Sequence, residues 1–317
     1  MTIDATHPVA PVATQDLAQR KLGPRAYLAC FNGIVWREVL RYLHQRERFL
    51  SALVRPLVWL FIFAAGFRQT LGVSIIPPYE SYVLYEQFVT PGLVGMILLF
   101  NAMQSSLSMV YDRETGAMRT LLVSPFPRSF LLISKLLGGV AVALLQVYVF
   151  LFIAHFWEID PGGPPLKIGF GLSIPEPFNG YITLLPALVL AGLMLGALAL
   201  FMSSVIKQLE NFAGVMNFVI FPMFFASSAL YPLWRVKESS PLLYEICRLN
   251  PFTYAVELIR FAMYGQVGTK LESGSIDYTN VLVVAGYMIL FLLAAIYAYN
   301  PSKGLIGRRG GPGGGGA

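Results

Sequence analysis

Three serines, Ser105, Ser106 and Ser203, stand in apolar stretches where an activated hydroxyl would make an intramembrane hydrolase. Such a nucleophile needs a base within hydrogen-bond reach, and no His or Asp occupies a nearby position of those stretches. Cys30 and Cys247 lie far apart, without a second thiol or a histidine at metal-ligand spacing. Neither a disulfide framework nor a zinc site is indicated. No Gly-x-x-x-x-Gly-Lys-Ser/Thr loop is present to cradle nucleotide phosphates, so the chain is not expected to bind ATP or any other cofactor itself. The residue types argue against an enzyme.

The elements that hold these residues are those of a membrane protein. Of 317 residues 56% are apolar and 13% charged, against about 25% charged in an ordinary soluble domain. The mean hydropathy of +0.62 agrees. Several apolar runs approach the ~20 residues that cross a bilayer's hydrocarbon layer. Six spans are expected near 52 to 71, 88 to 110, 130 to 156, 181 to 205, 212 to 230 and 280 to 299. With an inside amino terminus, seven of the 23 Lys and Arg residues fall outside: Arg68, Lys167, Arg235, Lys237, Arg248, Arg260 and Lys270. The other 16 are cytoplasmic, which places both termini inside. The net charge of +6 is accounted for by this asymmetry, and nucleic-acid binding is not expected.

Residues 1 to 25 are polar, lack the apolar run of a secretory signal, and read as a disordered cytoplasmic amino terminus. From 26 to 49, Leu28, Phe31, Val35, Val39 and Tyr42 recur at helical spacing, with Arg37, Arg41, His44 and Arg48 on another side. That pattern suits an amphipathic helix on the membrane face, its basic side toward anionic headgroups. A soluble docking helix or an extension of the first span gives the same periodicity. Pro251 to Tyr264 is apolar and helical in pattern but too short to span, so it reads as a re-entrant helix in the outer leaflet before the last span. Residues 301 to 317 form a Gly-rich cytoplasmic tail with no core to join.

Ionisable groups deep in a bilayer usually mark ion sites or proton relays, and the midspan positions here show none. Arg55, Arg68, Lys135 and His155 fall near span ends, where long basic side chains can snorkel. Asn101, Gln104, Gln146 and Asn217 are the strongly polar midspan groups and read as interhelical hydrogen-bonding partners. Gly192 and Gly196 have GxxxG spacing, which reads as close helix packing. An ion-coupled transporter would have to work without titratable groups, so energy for any transport must come from elsewhere.

Between spans two and three runs Tyr111 to Arg128, a charged exit, a glycine break at Gly116, a short helix and a proline stop at Pro125 and Pro127. Met118, Leu121 and Leu122 give that helix a small apolar face exposed to the cytoplasm, which asks for a protein partner.

At this segment the sequence resembles the ABC-2 type permeases, the membrane subunits of bacterial ATP-driven exporters. The matching residues are Arg113-Glu114, Gly116, Leu121-Leu122-Val123, Ser124-Pro125, Arg128 and Lys135, with Gly138 following. Ala117 and Arg119 depart from the family's usual Thr or Ser and Glu, which alters the charge offered to an ATPase. A second match, Asn250-Pro251-Phe252-Thr253-Tyr254-Ala255-Val256-Glu257, resembles the family's Asn-Pro-Leu-Thr-Tyr-Ala pattern before its last span. The likeness runs over about 26 to 300.

The resemblance implies an all-α polytopic fold of six transmembrane helices in the bacterial inner membrane. It further implies a second permease copy or homologue, and two separate ABC ATPase subunits that would bind ATP and Mg. Coupling would pass through Arg113, Glu114, Gly116, Met118, Arg119, Leu121, Leu122, Ser124, Pro125 and Arg128. Cargo in such families ranges from amphipathic drugs to lipid-linked glycans. A competing reading is a non-transporting membrane scaffold that recruits a cytoplasmic protein through the same segment.

Overall fold

A computed structural model describes residues 23–44, 46–67, 85–114, 125–156, 167–168, 172–173, 178–206, 208–264 and 278–298. Ten helices are described: α1 (Pro24–His44), α2 (Arg46–Phe67), α3 (Tyr85–Glu114), α4 (Arg128–His155), α5 (Phe178–Val205), α6 (Leu209–Phe225), α7 (Leu233–Ser239), α8 (Pro241–Leu249), α9 (Pro251–Tyr264) and α10 (Tyr278–Ala298). Two dipeptides, β1 (Lys167–Ile168) and β2 (Leu172–Ser173), pair antiparallel. The protein is thus a polytopic helical membrane protein.

Four stretches are long and apolar enough to cross a bilayer: Gln87–Asp112, Ser129–His155, Gly180–Val205 and Tyr278–Ala298. Shorter apolar helices run over Ala52–Ile62 and Leu209–Phe225. The share of each long stretch buried within the chain falls from 78% in α3 to 11% in α10. Helix α3 is therefore the central post, flanked by α2, α4, α5, α6 and α9, while α10 packs chiefly on α5 and leaves Leu282, Leu290 and Leu293 outward.

The glycine pair of α5 does pack tightly. A side chain at Gly192 or Gly196 would press on Val140 or Leu136, so the spacing serves the α4–α5 contact within the chain.

The amino-terminal helix ends at His44, so Arg46 to Phe49 belong to α2 rather than to an interfacial helix reaching 49. Its course is set by three contacts with α4. Tyr27 meets Phe130 edge-on at 5.1 Å, Glu38 lies against Gly138, and Tyr42 donates to Gln146 at 2.7 Å. Both partners advance together, so α1 runs parallel to α4. The buried side of α1 carries Glu38 and Tyr42, and Leu28, Trp36 and Leu43 are exposed. This helix shows three sides, one to the bundle, one apolar and outward, one basic.

Candidate functional site

In the connection between α3 and α4, Gly116, Met118, Arg119, Leu121, Leu122 and Ser124 lie outside the described residues. Arg113 and Arg128 are placed by their backbones, in the last turn of α3 and at the start of α4. Glu114 and Pro125 are described, and the segment's two stems are anchored. On the α3 side, Glu114 Oε1 accepts the backbone N–H of Leu209, the first residue of α6, at 2.8 Å. On the α4 side, Pro127 precedes the helix with extended backbone, and Phe126 and Phe130 both pack edge-on against Tyr27 of α1 at 5.2 and 5.1 Å. Between the stems, Asp112 Oδ2 meets Lys135 Nζ at 3.2 Å.

That ion pair corrects the expectation that Lys135 snorkels to water. Its side chain is only 8% exposed and that of Asp112 18%. Arg55 does not reach for water alone either, since its guanidinium lies 4.0 Å over the ring of Phe100.

One polar layer crosses the bundle. Gln146 Oε1 accepts from Tyr42 on α1 and from Asn101 on α3, joining three helices at one oxygen. Asn101 and Gln146 are thus the interhelical pair that their composition suggested. Gln104 instead lines a cleft with Glu38, Arg41, Ser105 and Ser108, and Asn217 is exposed on α6.

The motif from Asn250 to Glu257, expected on the outer side, is fully described. Asn250 is the N-cap of α9: its Oδ1 accepts from Phe252 N at 3.0 Å, and Pro251 supplies the favoured first residue. Its Nδ2 donates to Met223 O and Ala226 O, both at 2.7 Å, across to the end of α6. Thr253 Oγ1 donates to Cys247 O at 2.7 Å, tying α9 to α8. Tyr254 is half-buried on the same helix. Glu257 pairs with Arg260 inside the bundle, and both are almost fully buried. Arg260 Nη2 also donates to Ser228 O at 2.7 Å, and its guanidinium stacks 4.3 Å over the Phe88 ring of α3.

The turn 226 to 231 after α6 is not helical and is buried at its centre, 227 to 229, and its carbonyls need donors. Side chains supply them. Ser227 Oγ donates to Phe224 O at 2.6 Å, Tyr231 to Phe225 O, Arg260 to Ser228 O, and Tyr85 to Leu230 O at 2.8 Å. The order of the expected spans puts Arg260 on the outer side; only its position three residues after Glu257, on one face of a short helix, hints at a buried pair. Glu38 gave no such hint, because its neighbours Arg37 and Arg41 make the region read as solvated. Outside the span segments, burial pushes the Tyr231 hydroxyl up to about 12, with Cys247 beside it adding to the shift. Burial pushes the Cys247 thiol up as well.

The sequence model of the family described as ABC-2 type transporter matches residues 30–264, from α1 to the end of α9. A putative transport permease, ycf38, of Pyropia yezoensis is 26% identical over 263 residues, covering 82% of each chain. The inner membrane transport permease YadH of Escherichia coli K12 is 22% identical over 268 residues, 84% of this chain and 95% of the relative. The probable multidrug ABC transporter permease YbhR of the same strain is 28% identical over 186 residues, 57% of this chain and 45% of the relative.

Proposed function

The chain belongs to the ABC-2 type transporter family, and from that premise we propose that it is the permease subunit of an ATP-driven exporter in a bacterial inner membrane. The observation that carries this reading is the extent of the match, which takes in the amino-terminal helix, the cytoplasmic connection and the outer motif together. Six spans follow if α2 and α6 cross as well as the four longer stretches. Helix α2 has 22 residues, enough for the hydrocarbon layer, and α6 is lengthened by the buried turn that follows it. Helix α9, with 14 residues, enters the outer leaflet and returns, and both termini stay in the cytoplasm.

In this reading the chain pairs with a second permease and with two ABC ATPase subunits, which bind ATP and Mg. Closure of the ATPases on nucleotide pushes the connection 111 to 128. The anchored stems support that role, since a push at either stem meets α3, α4, α1 and α6 directly. The alternative scaffold needs no such anchoring.

The test is purification from native membranes in mild detergent. An ABC ATPase should copurify in equal number with the permease chains, with its hydrolysis rate dependent on this chain. A complex with an unrelated cytoplasmic protein and no ATPase would favour the scaffold and overturn the permease reading.

A further inference from the structure

Three helices meet at one buried cation near the cytoplasmic end of the bundle. Lys135 of α4 pairs with Asp112 of α3 at 3.2 Å. One turn further along α4, Gly138 receives the side chain of Glu38 from α1. A Cβ there would lie 3.3 Å from Glu38 Cγ. Positions 135 and 138 share a face of α4, so Glu38 is seated one turn from the Lys135–Asp112 pair, and its charge acts on the ammonium from beyond ion-pair distance. Arg37 and Arg41 hold Glu38 from its outer side, at 3.1 and 3.8 Å. The next residue, Gly139, admits Ser105 of α3 more closely still: a Cβ there would lie 2.7 Å from the Ser105 Oγ. The glycine pair lets both neighbouring helices close on α4 at the level of Lys135, and the Tyr42–Gln146–Asn101 layer ties the same three helices again farther along.

We propose that Lys135 is a positioning residue that, with Asp112 and Glu38, locks α1, α3 and α4 into one unit, so that displacement of the cytoplasmic ends of α3 and α4 carries α1 with it. The consequence for transport rests on the coupling role proposed above, but the lock itself does not. A buried cation is directional: neutralising Lys135 leaves Asp112 without its ion-pair partner and removes the one positive charge that reaches Glu38 from α4, so that Glu38 is held by Arg37 and Arg41 of its own helix alone. Neutralising Glu38 releases α1 alone. An ordinary apolar contact between these helices would show neither dependence.

The decisive measurement is amide hydrogen exchange on the full chain in lipid nanodiscs, which needs no ATPase. Lys135→Met and the milder Glu38→Gln should speed exchange across 31 to 44 by about tenfold or more, as expected when a local unit loosens. Lys135→Arg, which keeps the cation, should stay close to the wild type, and Asp112→Asn should loosen the end of α3 more than α1. Wild-type exchange across α1 in both Lys135→Met and Glu38→Gln overturns the lock, whether or not any ATPase binds the chain. In the ATPase-bound complex, a spin label at Trp36→Cys should shift on ATP addition relative to one at Ile182→Cys in a Cys30→Ser and Cys247→Ser background. That shift should vanish in Glu38→Gln while the ATPase still copurifies. An α1 label that follows nucleotide equally well in Glu38→Gln and Lys135→Met overturns the proposal. Loss of copurification in the wild type would instead count against the permease reading, with the exchange result still deciding the lock.

Discussion

Glu114 stands at the carboxyl end of α3, where its own helix disfavours a negative charge, and its carboxylate is bonded to the first backbone N–H of α6. The unfavourable end of one helix dipole is offset by the favourable end of another, a contribution of about 0.3 to 1 kcal/mol at an exposed site. Glu114→Ala should fray the first turn of α6, seen as faster amide exchange at 209 to 212, and Glu114→Gln, which keeps the acceptor, should recover most of the protection. Equal protection in all three proteins would show that the contact does not hold α6.

The apolar face that the sequence leads one to expect of Met118, Leu121 and Leu122, which lie outside the described residues, predicts a contrast between two substitutions. Leu121→Asp places a charge where a groove of the ATPase would have to bury it, and the cost of lost contact and desolvation is on the order of several kcal/mol. Insertion should be normal, because the residue lies outside the hydrocarbon layer, while ATPase copurification and export fail together. Arg119→Glu changes a rim charge worth roughly 1 kcal/mol or less and should tune coupling without abolishing it. Normal copurification and export in Leu121→Asp would show that the segment is only a solvated loop.

The outer motif should behave as a stability element before it behaves as anything else. Asn250→Ala removes the donor for two α6 carbonyls, and each buried acceptor left unmade costs about 1 to 3 kcal/mol. Arg260→Met leaves Glu257 buried without its partner, a loss of roughly 3 to 5 kcal/mol. Adding Glu257→Gln to Arg260→Met should recover part of it. Thermal denaturation of the detergent-solubilised chain orders the variants: wild type, then the double substitution, then Arg260→Met. A double substitution no better than the single one would mean that Arg260 acts through its carbonyl bonds rather than through Glu257.

Thiol labelling tests orientation and burial together. With single cysteines at Ser273 or Ser302 in a background lacking Cys30 and Cys247, an impermeant maleimide should label the first from outside intact cells and miss the second. The reverse pattern would refute the topology. In the otherwise native chain, Cys247 is buried against Tyr231 and its pKa is raised, so the reactive thiolate forms only at higher pH than for a free thiol. Its alkylation should lag well behind that of half-buried Cys30 at pH 8 and gain rate only as pH rises further or the chain is unfolded.

The long apolar stretches were legible because hydropathy is a property of windows, and α3, α4, α5 and α10 fell where their runs predicted. Pro251 to Tyr264 was legible to the residue, since a proline starts it and an Asn caps it. What could not be read was which charged groups turn inward. Lys135, Glu38 and Arg260 each look solvated in one dimension; their burial depends on a partner from a distant segment and on glycines that let a neighbouring helix close over them. The same holds for Asn250, which the sequence offered only as part of a motif: its bonds to Met223 and Ala226 at the end of α6 join positions 27 and 24 residues apart.

The buried turn after α6 also constrains how the chain is made. When the ribosome has extended only as far as Tyr231, the carbonyls of Met223, Ala226 and Ser228 have no donors, because Asn250 and Arg260 are still to be synthesised. In the proposed topology, with α6 crossing and α9 in the outer leaflet, hydrocarbon offers those carbonyls nothing, so this stretch waits in the insertion machinery or in a wet environment until α9 arrives. On that reading biogenesis acquires an order in which the sixth and ninth helices enter the lipid as a pair. A nascent chain halted between them is a substrate for membrane quality control rather than a folding intermediate at rest in the bilayer.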